Sequence, residues 1–352
     1  MHMSDALISP LTGGAMWVAT AGLISYSAKQ LKKEADDRKV PLMGVLGAFI
    51  FASQMINFSI PATGSSGHLG GGLLLAILLG PDAAFLVMAS VLLVQALFFG
   101  DGGLLALGCN IFNLGAFPCF IAYPLIYRKI VKGNPTQTKI TIGCLIASVI
   151  GLQLGAIGVV LETVFSGISE LPFRTFVLLM QPIHLVIGIV EGLVTAAVVS
   201  FVWKARPEIL SSIDKSVPIG RVDMKKILLV FVAAAAIIGG ILSWFASVNP
   251  DSLEWAVLKA SGQEKSTSYK AELSFFTNIQ SKTAIFPDYN FKNNEPVTGS
   301  DANAKKTSRT IDSGTSVSGL IGIALTLLVI ILIGLVLNSK RRKMIFRKLN
   351  HE

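Results

Sequence analysis

Charge is scarce in this chain. Only 14% of its 352 residues are Asp, Glu, Lys or Arg, against about a quarter in an ordinary soluble domain. Hydrophobic residues make up 52%, and the mean hydropathy is +0.65. That balance excludes a soluble globular protein of this size. Cysteine is scarce too. Cys109, Cys119 and Cys144 all lie in apolar stretches, where they read as small core residues rather than as a disulfide framework or a zinc set. No GxxxxGK[ST] string occurs, so nothing in the chain is built to cradle ATP phosphates. The first fifteen residues contain no Lys or Arg. A secretory leader needs a basic start, so the opening segment is expected to be retained.

What is abundant is apolar sequence in long runs. They lie near residues 14–28, 41–59, 69–80, 83–99, 104–127, 140–163, 176–203, 226–247 and 318–338. A spanning helix needs roughly 20 apolar residues, and most of these runs approach that. The fold class is therefore an all-α polytopic membrane protein with about nine transmembrane helices. The third run is short, about twelve residues or roughly 18 Å as helix, and Gly80-Pro81-Asp82 separates it from the fourth.

Basic residues orient the chain. Residues 29–39 hold five Lys/Arg, 128–139 four, 204–226 six and the stretch after Ser339 six, together 21 of the 30 in the chain. With nine spans all four segments fall on one side, which must be the cytoplasm. Merging runs three and four would break that pattern, so the short third helix is expected to cross. The N-terminus is then outside and the C-terminus inside. The net charge of +9 is a topology anchor on this reading, with no nucleic-acid partner. The domains that result are a seven-span body (1–203), a cytoplasmic linker (204–224), a two-span module (225–338) and a basic cytoplasmic tail (339–352). The module carries an outer soluble loop at 248–317, of which 293–317 is polar and reads as flexible.

This topology brings two of the four histidines to the outer side. One is His2, and the other is His68 in the loop PATGSSGHLGGG. A free Met-His terminus offers the α-amine of Met1, the amide nitrogen of His2 and its imidazole. Amine and amide close a five-membered chelate ring, and imidazole Nδ1 closes a six-membered ring with the same amide. Three nitrogens then share a plane, and His68 can supply a fourth. Planar nitrogen sets suit Ni(II) or Cu(II), whereas Mg(II) and Ca(II) prefer oxygen. The same residues also fit an incidental terminal histidine and a loop histidine beside a helix start. The glycines around His68, which permit close backbone approach, and the short third helix, which sinks His68 into the protein, favour the metal.

Other polar residues lie in apolar surroundings. His184 and Glu191, seven residues apart, share a helix face. Ionisable residues within a membrane are functional candidates, and helix packing is the competing role. Asn110 and Asn113 share a face of span five, and Gln54 and Asn57 end span two. These four are candidates to hydrogen-bond the His68 loop or ligand imidazole, as metal-bound histidines require, or to join helices. Gly64-Ser65-Ser66-Gly67 is a GxSG string. With Ser66 as nucleophile and His184 as base it would resemble a rhomboid-type intramembrane protease, on a four-letter motif of high false-positive rate.

The stretches MHMSDALISPLTGG, FASQMINFSIP, SGHLGGGLLLAILLGP, LLVQALFFGDGGLLALGCNIFN and HLVIGIVEGLVT resemble, in that order, the substrate-binding membrane component of cobalt/nickel energy-coupling-factor transporters, the CbiM/NikM family. The opening is closer to the nickel branch. Further on, NPDSLEW and FPDYNF resemble the companion NikN/CbiN subunit more loosely, with Asp251-Ser252 in place of its usual Asp-Gly. The resemblance implies a NikM–NikN fusion that is not an enzyme. Its transported substrate would be Ni(II), with Co(II) as the other candidate, and its ligands Met1, His2 and His68. It also implies a transmembrane coupling subunit and paired cytoplasmic ATPases as partners, in a bacterial or archaeal inner membrane. An ion-gradient-driven secondary transporter with Glu191 as proton carrier is the alternative of another class.

Overall fold

The computed structural model describes residues 2–34, 39–168, 171–215, 217–218, 224–261, 274–292 and 313–349. Met1 and most of 293–317 lie outside the described residues. Helices fill the nine apolar runs: α1 (Pro10–Glu34), α2 (Lys39–Gln54), α3 (Gly72–Leu79), α4 (Pro81–Val94, continued by a π-helical turn Gln95–Phe99), α5 (Leu107–Ile111, continued as a π-helical run Phe112–Tyr127 and then α6, Arg128–Val131), α7 (Gln137–Ser166), α8 (Phe173–Ala205), α10 (Lys225–Gly240) and α13 (Ser313–Leu349). The linker between α8 and α10 contains a helix of its own, α9 (Pro207–Lys215). The segment between α10 and α13 contains α11 (Ser252–Ser261) and α12 (Ser274–Thr283), and a short antiparallel hairpin of β1 (Phe58–Ile60) and β2 (Ser65–Gly67) follows α2.

Local chemistry sets these boundaries. Pro10, Pro81 and Pro207 each open a helix, at the position where a missing N–H costs nothing. Thr136 caps α7 by accepting from Lys139 N–H at 3.2 Å, and Gly167, at φ +64°, closes it. Pro118 and Pro124 each remove a donor inside the π-helical run, where the helix takes a wider pitch.

Among the described residues, five segments are long and apolar enough to cross a membrane unaided: Pro81–Phe99, Leu107–Val131, Gln137–Ser166, Phe173–Ala205 and Ser313–Val336. α7 and α8 pack together along their length through small residues, as membrane helices do; a Cβ on Gly192 would stand 2.7 Å from Leu145 Cα. α10 and α13 lean together on α2 at the edge of the body, and α13 turns Leu328, Leu332 and Leu335 outward.

The third span departs from the sequence reading. The helix is eight residues, Gly72–Leu79, and every one of them is buried. At 1.5 Å per residue that is about 12 Å, less than half a bilayer core of about 30 Å. The residues just before it, 68–71, are not helical. Irregular backbone at such depth is tolerated only when the protein itself satisfies its polar groups, and the neighbours do so here. Gln54 Nε2 donates to Gly70 O at 2.7 Å, and the Glu191 carboxylate accepts from the N–H groups of Gly70 and Gly71. Two further boundaries differ. α9 packs on α3 and α8, so the linker belongs to the body's packing. The last helix begins at Ser313, because Ser316 and Ser318 turn their hydroxyls back onto Gly240 O and Tyr289 O and so extend the helix outward.

Candidate metal centre

The opening segment is a packed part of the body. Met3 and Ile8 are completely buried and Leu7 nearly so. The Asn110 side chain grips the backbone of Met3 from both sides: Met3 N–H donates to Oδ1 at 2.8 Å, and Nδ2 donates to Met3 O at 3.1 Å. Gly103 N–H donates to the same carbonyl at 2.9 Å, and Ala106 N–H donates to Asp5 Oδ1 at 3.0 Å. The GDGG turn makes room for this segment. Gly102 has φ +82°, and a Cβ on Gly103 would overlap Asp5.

Threading the segment this way carries His2 to His68. Their ring centroids lie 4.9 Å apart with an interplanar angle of 14°. Nδ1 of His2 faces Asp101 Oδ1 at 3.3 Å. Its Nε2 and the Oε1 of Gln95 are both buried without a hydrogen-bond partner. Nδ1 of His68 meets Leu69 O at 3.0 Å. A carbonyl only accepts, so Nδ1 carries the proton and Nε2 keeps its lone pair, the arrangement expected of a ligating imidazole. Burial pushes both imidazoles down to about 3, so both are neutral at ordinary pH, as a metal requires. For the chelate foreseen from the sequence, Nδ1 of His2 must leave Asp101. Among the described residues no group of three or more His, Cys, Asp or Glu converges as a metal cage.

The segment between α10 and α13 docks beside these rings. Ser66 N–H donates to Pro250 O at 2.8 Å and its Oγ to Asn249 O at 2.9 Å, which docks the segment before α11 against β2. Asp251 follows directly. Burial raises its carboxyl, but nearby positive charge and the N–H of Glu254 outweigh that and hold it below the usual range, with both imidazoles contributing. From the far end of the loop, Tyr289 donates its hydroxyl to Asp101 Oδ2 at 2.6 Å and stacks on Phe99 with centroids 5.0 Å apart. Its backbone sits at φ +58°, uncommon for so bulky a residue. Gln280 donates to Ala96 O and Gly102 O, and Phe286 N–H donates to Phe98 O.

The remaining sequence candidates are distributed around this centre. Gln54 holds Gly70 O and accepts from Gln95 Nε2 at 2.9 Å. Asn57 receives Ser247 N–H on its carbonyl, and so ties the hairpin to the module. Asn113 is not at the centre: it donates to Glu162 at 2.7 Å, between the π-helical run and α7. Ser66 and His184 are not paired with each other. Ser66 serves carbonyls of the module, while His184 Nδ1 donates to Met180 O at 2.7 Å and its Nε2 accepts from Ser252 at 3.3 Å. With Nδ1 on a helix carbonyl, His184 lacks the carboxylate that orients a catalytic base. Glu191 and His184 face the centre at different depths and make no contact with each other. Asp101, Asp251, Tyr289 and Gln95 escaped the sequence reading as site residues. The only signal for Asp101 was the GDGG string.

The family model for the cobalt uptake substrate-specific transmembrane region, CbiM, matches residues 2–209. The chain belongs to the CbiM family. A PDGLE domain model matches residues 225–339, so the CbiM region is followed by a PDGLE module, the layout of a NikM–NikN fusion. The chain is 36% identical to a putative fused nickel transport protein NikMN of Archaeoglobus fulgidus over 210 residues, 60% of this chain and 68% of that one. It is 37% identical to a putative metal transport protein of Haloquadratum walsbyi over 60% of this chain and 93% of the other. A crystal structure of a truncated transition metal transporter superposes with a TM-score of 0.52 at 32% identity, covering 58% of this chain and 99% of that one. This CbiM-family chain is thus a multi-pass membrane component of cobalt/nickel transport, and its relatives are metal transport proteins.

Proposed function

We propose that the chain is the substrate-capturing subunit of an energy-coupling-factor importer for Ni(II), with Co(II) as the lesser substrate. The amine of Met1, the amide and imidazole of His2 and the imidazole of His68 bind the ion. Asp101 and Asp251 supply negative charge close by for a dication. The observation that carries this reading is the packing of residues 2–9, anchored by the buried Met3, Asp5, Leu7 and Ile8, which brings one neutral imidazole to 4.9 Å from another. Nickel is preferred because amide and amine nitrogens reward a planar, strongly bound metal. Two fused relatives, of Archaeoglobus fulgidus and of Lactiplantibacillus plantarum, are named as nickel transport proteins, which supports the same choice.

The N-terminus and the outer module face outside and the basic segments face the cytoplasm. The chain lacks a nucleotide-binding motif, so energy comes from partner ATPases through a membrane coupling subunit. Glu191, which a gradient-driven carrier would need as its proton carrier, is engaged by two backbone N–H groups. The test is a Ni(II) titration of the native chain beside a form with one residue added before Met1. The extension turns the amine into an ordinary peptide bond, and high-affinity binding should vanish, whereas a C-terminal tag leaves it intact. Equal affinity in the native and extended forms overturns the reading.

A further inference from the structure

Glu191 is a buried carboxylate, 3% exposed, in the middle of the apolar helix α8. Among the described residues its hydrogen-bond partners are two backbone N–H groups. Its Oε2 accepts from Gly70 N–H at 2.6 Å and its Oε1 from Gly71 N–H at 3.2 Å. Both donors precede the half-length helix α3, whose amino end carries partial positive charge. The site is fitted to this contact: a Cβ on Gly70 would stand 3.1 Å from Glu191 Oε2, and Gly71 sits at φ +81°.

The N–H of Gly70 and the C=O of Leu69 belong to one planar peptide unit. That carbonyl is the group on which His68 Nδ1 rests at 3.0 Å. Carboxylate, peptide and imidazole therefore form a continuous hydrogen-bonded line. Metal-bound histidines commonly hand their second nitrogen to a carboxylate, which fixes the ring and raises its basicity. Here a peptide unit stands between the two, and chains of hydrogen bonds polarise one another in a low dielectric.

We propose that Glu191 is the positioning residue of His68, acting across the single Leu69–Gly70 peptide to hold the ring with Nε2 toward the metal. This rests on the reading of His68 as a ligand. It assigns the buried acid of α8 to the metal centre without contact with the metal. Glutamine at 191 accepts one N–H through its oxygen but turns an NH2 toward the other, so the negative charge that polarises the line and one of its two anchoring contacts are lost while size is kept.

The experiment is a double-mutant cycle in the purified full-length chain, read by Ni(II) affinity and by the visible ligand-field bands of the bound nickel. Glu191→Gln should weaken Ni(II) binding about 10- to 100-fold, the usual loss when a partner behind a ligand is removed. Its nickel spectrum should move toward that of His68→Ala. In the His68→Ala background the same substitution should cost no further affinity, because a residue that acts only through His68 has nothing left to act on. Gly70→Ala, which pushes on the contact from the loop side, should shift the spectrum in the same direction and carries the cycle if Glu191→Gln does not fold. Equal losses from Glu191→Gln with and without His68, or a native spectrum and affinity in both Glu191→Gln and Gly70→Ala, overturn the proposal. Wild-type binding by His2→Ala and His68→Ala would overturn the ligand reading itself, which is a separate result.

Discussion

The body and the outer module meet at one site and bring opposite things to it. The body contributes two neutral imidazoles on a buried segment and a buried loop. The described part of the module contributes no histidine and no cysteine, yet it delivers Asp251, the Tyr289 hydroxyl on Asp101 and the backbone carbonyls that dock Ser66. On the proposed function, the metal donors belong to the body, negative charge comes from both regions through Asp101 and Asp251, and the module adds cover. The division has a physical basis. The body's loop is held by Gln54 and Glu191 on one side and meets the module through Ser66.

The largest effect should come from the body. His2→Ala removes the imidazole and with it the six-membered chelate ring, and high-affinity Ni(II) binding should be lost altogether in an equilibrium titration. His68→Ala should weaken binding by more than about 100-fold, beyond the range typical of indirect partners, while leaving a three-nitrogen remnant. Wild-type affinity in either variant would remove the body from the metal chemistry.

The module should matter less for equilibrium binding and more for escape. Asp251→Asn keeps an oxygen to cap α11 at Glu254 N–H, which asparagine does as well as aspartate, but deletes one negative charge from a buried, positively charged setting. Affinity should fall about 10-fold, at the low end for residues behind the ligands. Most of the loss should appear as faster release of Ni(II) to a chelator. Unchanged release would reduce the module to a passive cover.

Much of this was legible in the sequence, and the division explains what was not. Apolar length found the nine runs, because hydrocarbon thickness imposes it. The meeting of His2 and His68 was legible because histidine is rare in this chain and both fell in segments read as lying on one side of the membrane. α3 was set too long because the apolar run was started at Leu69 although Gly70, Gly71 and Gly72 disfavour helix, and no local signal reveals that Glu191, some 120 positions on, satisfies the backbone there. Asp251 and Tyr289 were noticed only as parts of NPDSLEW and FPDYNF, and their place beside the histidines was hidden for a similar reason. An acid in a soluble loop looks like surface until the fold carries it to two buried imidazoles.

Acidity should loosen the same junction. Burial holds His2 and His68 at about 3 in the folded chain, against 6.5 when free. The undocked state therefore binds protons that the docked state does not. Docking stability is complete above about pH 6.5 and declines as pH falls toward 3. Burial shifts Asp101 and Asp5 the other way, while Asp251, held low, acts with the imidazoles; between pH 7.5 and 5 it is the imidazoles, whose free value of about 6.5 lies inside that window, that set the sign as a loss. Amide hydrogen exchange of residues 2–9 and 65–71, followed without metal from pH 7.5 to 5, should show protection falling relative to α7 and α8 after correction for intrinsic rates. Constant relative protection would mean that the rings are not buried in the docked state.

The smallest effect separates the two regions most finely. Ser66 sits on the body's hairpin but spends its hydroxyl on the module, donating to Asn249 O at 2.9 Å. Ser66→Ala deletes that hydrogen bond and leaves the neighbouring one, from Ser66 N–H to Pro250 O at 2.8 Å, in place. A single neutral hydrogen bond contributes about 0.5–1.5 kcal/mol, so the closed arrangement should weaken roughly 2- to 12-fold. If the module only governs access, Ni(II) release should speed up by about that factor. Nickel's ligand-field bands, which report the nitrogen donors of the body, should not move. A shift in those bands would mean that docking sets the geometry of the His68 loop as well as covering it. Loss of all function would instead point to Ser66 as a chemical participant, a role for which its partners, two backbone carbonyls, give it no base.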